Sequence, residues 1–165
     1  MLTLMKNHKR IILVGKAASG KDNFRKRFES RGFKYAVSYT TRPPREGEVD
    51  GKDYIFISDD EAKVLIESGF FYEYVIFNGW VYGTSVTQFH TDDLFIMTPA
   101  GISHIKPEDR VSSFIIYIDI YMFIRKKRLA DRMMPGDTLT RRIEADELDF
   151  MGFNNYDLRI TNEDF

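Results

Sequence analysis

Arg42 and Arg45 stand three residues apart, in a stretch stiffened by Pro43 and Pro44. The hydroxyl run Ser38-Tyr39-Thr40-Thr41 leads into it, and Tyr54 follows at the end of the same block. Guanidinium forks, hydroxyls and a phenol OH gathered this closely make a site for a doubly charged phosphate. The prolines limit the backbone, so the forks lose less freedom when an anion arrives. The bland alternative is a solvated loop of mixed charge, because Glu46, Glu48, Asp50 and Asp53 offset the basic groups.

A second phosphate motif lies upstream. Gly15-Lys16-Ala17-Ala18-Ser19-Gly20-Lys21-Asp22 follows the apolar run Ile11–Val14 and precedes a helix-like stretch from Asn23 to Arg31. Strand, glycine-bounded loop, lysine and helix are the context that a P-loop requires. Its backbone N–H groups and the helix N-terminus face phosphate oxygens, and Lys21 reaches the β and γ phosphates of a nucleotide. The last position departs from the pattern. A Ser or Thr hydroxyl for magnesium is expected there, and Asp22 stands in its place, a carboxylate that can hold the ion directly or through water.

Together these motifs resemble the guanylate kinase family of P-loop nucleoside monophosphate kinases. The resemblance continues at Glu73 within Phe70–Tyr74, at Tyr82-Gly83-Thr84-Ser85, and at Tyr156–Asp164, which is similar to the family's closing strand. The segment from Val86 to Ser113 matches poorly. The resemblance implies an α/β fold: a three-layer αβα parallel sheet with a small, mostly antiparallel monophosphate-binding insertion and a helical lid. It implies one domain over 1–165, with a core of 9–37, 92–122 and 151–165, a GMP-binding region of 38–90 and a lid of about 123–150. The family continues with a closing helix where this sequence stops, at Phe165, so one sheet face is expected to be less covered, or covered by a partner.

The resemblance also assigns roles. ATP is expected on Gly15 to Asp22, with magnesium accompanying it near Asp22. Ser38, Arg42, Arg45, Tyr54 and Tyr82 would hold the acceptor phosphate, and Glu73, Thr84 and Thr98 would meet the base. Guanine presents N1–H and an exocyclic amino group on one edge, two donors that a single carboxylate accepts; adenine presents neither there. Lys21, Arg42 and the lid arginines Arg132 and Arg142 would act in transfer, with Arg128 and Arg141 as near-equal candidates. The family carries aspartates at the strand end where this chain has Ile96 and Thr98; Asp92 and Asp93 sit at the other end of that strand. The expected reaction is ATP-dependent phosphorylation of GMP or dGMP. Alternatives on the same fold are a kinase of ribose 1,5-bisphosphate or of a broader set of deoxynucleotides, and a non-catalytic scaffold domain.

Composition sets the outer bounds. The 165 residues are 43% hydrophobic and 15% aromatic, enough for one domain with a core. Lys plus Arg number 24 against 25 Asp plus Glu, a balance that argues against a general nucleic-acid face. The absence of cysteine excludes disulfides and thiolate chemistry. Met1–Arg10 lacks an apolar signal core, and no run reaches membrane-spanning length, so a cytoplasmic monomer or homodimer without a membrane partner is expected. His8, His90 and His104 show no ligand spacing.

The elements that must position these residues are legible in outline. Ile11–Val14, Tyr35–Ser38, Leu94–Met97, Phe114–Ile118 and Tyr156–Thr161 read as strands. Ser58-Asp59-Asp60-Glu61 is a capping box opening a helix that stops at Gly69. Phe70–Phe77 and Trp80–Tyr82 flank Asn78-Gly79, a type I′ hairpin signal. Tyr121–Met133 and Thr138–Phe150 read as helices, broken at Met134–Asp137.

Overall fold

The computed structural model describes residues 8–130 and 138–162, except for the Arg142 side chain. A four-stranded sheet forms the core: β1 (Arg10–Val14), β6 (Leu94–Ile96), β7 (Ser113–Ile118) and β8 (Leu158–Ile160), in the order β6-β1-β7-β8. All three pairings are parallel, with Ile12 opposite both Phe95 and Ile115. Every residue of β1 and β7 is buried, as a strand covered on both faces must be. Each fully buried Ile, Leu or Val there contributes roughly 1.5–3 kcal/mol.

Helices supply the outer layers. On one face Ile11, Leu13, Ile116 and Ile118 pack against Phe24 and Phe28 of α1 (Lys21–Glu29), with Ile124 of α6 (Met122–Ala130) alongside. On the other face Ile12, Val14, Phe95, Ile115 and Tyr117 pack against Phe89 of α3 (Val86–Thr91) and Ile102 of α4 (Pro99–Ser103). Phe150, at the end of α7 (Leu139–Asp149), stacks on Tyr117 with centroids 5.4 Å apart. The three-layer parallel arrangement agrees with the sequence expectation.

A second sheet runs β3-β2-β5-β4, built from β2 (Tyr39–Thr40), β3 (Ile55–Phe56), β4 (Phe71–Phe77) and β5 (Trp80–Ser85). Two of its three pairings are antiparallel. Asn78 (φ 53°) and Gly79 (φ 83°) both take left-handed backbone, as a type I′ turn requires. Helix α2 (Asp59–Glu67) opens on the expected capping box: Ser58 Oγ accepts from Glu61 N, and Glu61 Oε2 accepts from Ser58 N.

One expected strand is not there. Of Tyr35–Ser38, only Tyr35 bridges Leu94, and the Ala36 N–H donates to Leu94 O. By Ser38 the backbone already serves the other sheet, where its carbonyl accepts from Ile55 N at 2.9 Å. The short apolar run is a crossing between sheets, too short for a ladder in either. The poorly matching Val86–Ser113 segment holds α3, α4, β6 and α5 (Pro107–Arg110). A capping box opens α3 as well, with Ser85 as N-cap and Gln88 as its partner.

Gly79 has open space around a would-be Cβ, so Gly79→Ala tests the turn backbone alone. It should cost about 1 kcal/mol through the φ penalty. Urea denaturation should show a lower midpoint with an unchanged slope.

Candidate functional site

The loop between β1 and α1 is held in a strained, inward-turned form. Ala18 adopts φ 59° and Gly20 φ 102°. A Cβ on Gly15 would stand 2.6 Å from Ile118 O, so only glycine lets the loop pass under β7. The Lys21 ammonium folds back onto the Gly15 carbonyl (2.5 Å) and the Lys16 carbonyl (3.1 Å). Burial holds its pKa below the ordinary lysine value, against the pull of Asp22 and Asp146. Ser19 Oγ is buried with no hydrogen-bond partner among the described residues. Asp22 opens the first turn of α1, largely exposed, 3.7 Å from Arg25 Nε.

The arginine-hydroxyl block forms the second part. Arg42 is buried, with its N–H on Thr40 Oγ1 and its guanidinium over the Tyr54 ring at 5.2 Å. Its Nη2 donates to both oxygens of Glu48 at 2.9 Å, and Nη1 donates to the Pro43 carbonyl. Glu48 Oε2 also accepts from Arg45 N at 2.7 Å. The acidic residues that offset charge in the sequence therefore include one that grips the key arginine. Tyr54 and Tyr82 meet edge to face at 6.0 Å. Burial, then Tyr82, pushes the Tyr54 phenol up to about 12, while Asp22 also acts on it. That coupling brings the start of α1 and the arginine block within electrostatic reach of each other. Ser38 is half-buried at the sheet crossing and Arg45 is exposed.

The third part is a buried carboxylate. Between Phe71↔Ser85 and Glu73↔Thr84 the β4–β5 ladder slips by one residue, leaving Tyr72 as a bulge. A bulge re-aims side chains. Tyr72 turns to the core, where it stacks on Phe89 at 3.5 Å and donates its hydroxyl to Asp109. Glu73 turns inward, 7% exposed, and accepts the Thr84 hydroxyl on Oε1 at 2.8 Å. A Cβ on Gly101 would stand 2.8 Å from Glu73 Oε2 and 3.6 Å from Thr98 Oγ1. Thr98 is the N-cap of α4, its oxygen accepting from Gly101 N at 3.0 Å. Glu73, Thr84 and Thr98 thus lie close together around Gly101. Burial pushes the Glu73 carboxyl up to about 7, although the Thr84 hydrogen bonds pull it down.

The lid helices contribute residues that the sequence did not single out. Arg125 is 1% exposed. Its Nη1 donates to Asp146 at 2.7 Å and reaches the Ala17 carbonyl at 3.4 Å, and its Nη2 donates to Glu147 at 3.2 Å. Asp146 accepts the Ala17 N–H on both oxygens, and Lys16 Nζ bonds Glu147 at 2.6 Å. Arg128 Nη1 reaches the Ala18 carbonyl, and Arg141 N caps onto Thr138. Arg132 and the Arg142 side chain lie outside the described residues. One signal for Arg125 was available: it sits four residues before Leu129, on the buried face of α6. Beside the loop a cavity of about 300 Å³ opens between Lys16, Ile120, Tyr121, Arg125, Glu147 and Arg159.

Asp92 and Asp93 have structural partners at the far end of β6. Asp92 pairs with Lys34 Nζ at 2.6 Å, and Asp93 accepts from Lys34 N. No group of three or more His, Asp or Glu side chains among the described residues is arranged to hold a metal ion. No helix among them is long and apolar enough to cross a membrane.

Comparison with known proteins follows the same outline. Residues 7–165 match the family model described as guanylate kinase. A guanylate kinase of Geobacter metallireducens is 32% identical over 139 residues, spanning 80% of this chain and 68% of that protein. A guanylate kinase of Enterococcus faecalis is 45% identical over 80 residues, 47% of this chain and 39% of that protein. The crystal structure of guanylate kinase from Anaplasma phagocytophilum superposes with a TM-score of 0.73 over 96% of this chain and 79% of that one. At 22% identity, that last likeness speaks for the fold.

The raised Glu73 carboxyl makes stability depend on pH. The pocket favours the neutral acid. Its contribution is fully present below the unfolded-state value near 4.3 and is lost as pH rises through about 7. Wild-type protein should lose up to roughly 3 kcal/mol between pH 5 and pH 8 relative to Glu73→Gln. Urea unfolding of both proteins at the two pH values measures it; parallel pH dependences would place the carboxyl in an unperturbed setting.

Proposed function

We propose that this chain, which belongs to the guanylate kinase family, transfers the γ-phosphoryl group of ATP to GMP or dGMP, giving ADP and the nucleoside diphosphate. The observation that carries the reading is the buried Glu73 carboxyl, an acceptor for two donors, in a chain that also has a glycine-bounded loop whose Asp22 acts on the arginine-tyrosine block.

The acceptor phosphate is already an ionised oxygen nucleophile, so no serine, cysteine or histidine need attack. What remains is positioning and charge neutralisation around an in-line transfer. Lys21 swings from the Gly15 and Lys16 carbonyls to the β and γ phosphates, with the N–H groups of Gly15 to Asp22 as their cradle. The acceptor phosphate lies among Ser38, Arg42, Arg45, Tyr54 and Tyr82. Glu48 yields or shares the Arg42 fork when the anion arrives. Glu73, with Thr84 and Thr98, takes the guanine edge. Arg132 and Arg142 close over the transferring group, and the cavity beside Lys16 and Arg125 takes the donor's nucleoside. We assign 9–37, 92–122 and 151–165 to the core, 38–90 to the acceptor region and 123–150 to the lid.

Magnesium, bound with ATP, would supply neutralisation of phosphate charge. Asp22 fits as its protein ligand: one exposed carboxylate beside the cradle suits an ion that keeps most of its shell as water and phosphate oxygens. Neither alternative explains the buried carboxylate. A sugar bisphosphate has no purine edge for Glu73 to read, and a scaffold role gives the Lys21 loop nothing to hold.

An ADP-release assay with ATP and magnesium tests the reading, offering GMP, dGMP, AMP, CMP, UMP and ribose 1,5-bisphosphate separately. Turnover is expected on GMP and dGMP, with AMP lower by about 10⁴-fold or more. Lys21→Met should lower kcat by at least about 10²-fold. Asp22→Ala should raise the magnesium concentration needed for half-maximal rate. Preferred turnover of ribose 1,5-bisphosphate, or of AMP, would overturn the assignment.

A further inference from the structure

Hypoxanthine shares O6 and N1–H with guanine and lacks only the amino group at C2. Bound against Glu73, it keeps one of guanine's two donors. In a pocket where the carboxylate had no other partner, the deserted oxygen would be buried and unpaired. Sites of that kind reject the deficient ligand by about 10⁴–10⁵-fold.

Glu73 is not in that position. Its Oε1 already accepts the Thr84 hydroxyl at 2.8 Å, and Thr84 is itself only 2% exposed, so the bond lies inside the pocket. Oε2 lies against Gly101, where a Cβ would stand only 2.8 Å away, and no described side chain donates to it. With N1–H on Oε2 and Thr84 on Oε1, both oxygens have a donor without any help from C2. Thr98, the other polar side chain at that end, is a hydroxyl already accepting the Gly101 N–H. Among the described residues, the influences on Glu73 are burial and Thr84. The C2 amino group therefore meets one carboxylate whose needs are partly met.

We propose that the base pocket takes a hypoxanthine nucleotide as a second acceptor, and that the Thr84 hydroxyl on Glu73 sets how far guanine is preferred over it. This rests on Glu73 as the base reader. Loss of the C2 contact then amounts to one net hydrogen bond, a change of about tenfold. Adenine fares far worse, because its N1 is an acceptor facing a carboxylate.

The test is calorimetric binding of GMP, IMP and AMP to the intact protein, with ADP release measured in parallel. IMP should bind and turn over within about 10²-fold of GMP, and AMP should fall at least another 10²-fold below IMP. Thr84→Val removes the donor on Oε1, so it should widen the GMP-to-IMP ratio by about tenfold or more, whereas Thr84→Ser should keep it. A general packing defect would weaken both ligands alike and leave the ratio unchanged. IMP as weak as AMP overturns the proposal, as does a ratio that Thr84→Val does not move. Should Thr84→Val fail to fold, the wild-type and Thr84→Ser affinities decide. Equal binding of all three nucleotides would instead remove Glu73 as base reader. An affinity order of GMP, IMP, then AMP without turnover would overturn IMP as an acceptor together with the kinase assignment, and would keep only Glu73 as the base reader.

Discussion

A carboxyl buried with no cation beside it among the described residues, Glu73, is the constraint around which the second sheet meets the core. Burying an isolated charge is costly, and the group answers by shifting its pKa unless a ligand supplies donors. Glu73 is in that condition, with Thr84 as its hydrogen-bond partner. Three otherwise unrelated features serve it. The Tyr72 bulge turns it inward, Gly101 leaves it space, and the Tyr72 stack on Phe89 ties its strand to the core. On the proposed reading a purine N–H would supply the donor that Thr84 leaves wanting, so discrimination against adenine would follow from the carboxyl's remaining need.

The donor side solves the opposite problem. There the charges stand in opposed pairs: Arg125 is buried with Asp146, and Lys16 pairs with the exposed Glu147. A buried ion pair is weak evidence for stability, yet removing one partner is severe, because it leaves the other uncompensated. Asp146 also accepts the Ala17 N–H, so α7, α6 and the loop are tied together through one carboxylate. The acceptor side shows a lighter version of the same device, with Glu48 holding Arg42 in the unliganded protein. In both places internal carboxylates order the cations, and on the proposed reading phosphate would compete for them.

What the sequence made legible was local. The glycine-bounded loop, the Ser58–Glu61 capping box and the Asn78-Gly79 turn each declare themselves within a few residues, because φ preference and capping act over that range. The resemblance added the roles of Glu73 and the arginine block. The unread features are pairings across distance or slips in register. Nothing in Phe70–Tyr74 marks Tyr72 as a bulge, since alternation predicts only which face each residue takes. Arg125 looked like one more cation in a basic run until Asp146, 21 positions away, supplied its partner. Tyr35–Ser38 has the composition of a strand and becomes a crossing, because the neighbouring sheet claims Ser38.

The measurement that bears most directly on this account is the titration of the Glu73 carboxyl carbon by NMR, without ligand and with saturating GMP. In the free protein the midpoint should lie near 7. Bound GMP should lower it, because two N–H donors favour the ionised form. A free-protein midpoint near the ordinary carboxylate value, unmoved by GMP, would contradict the claim that this buried acid reads the base.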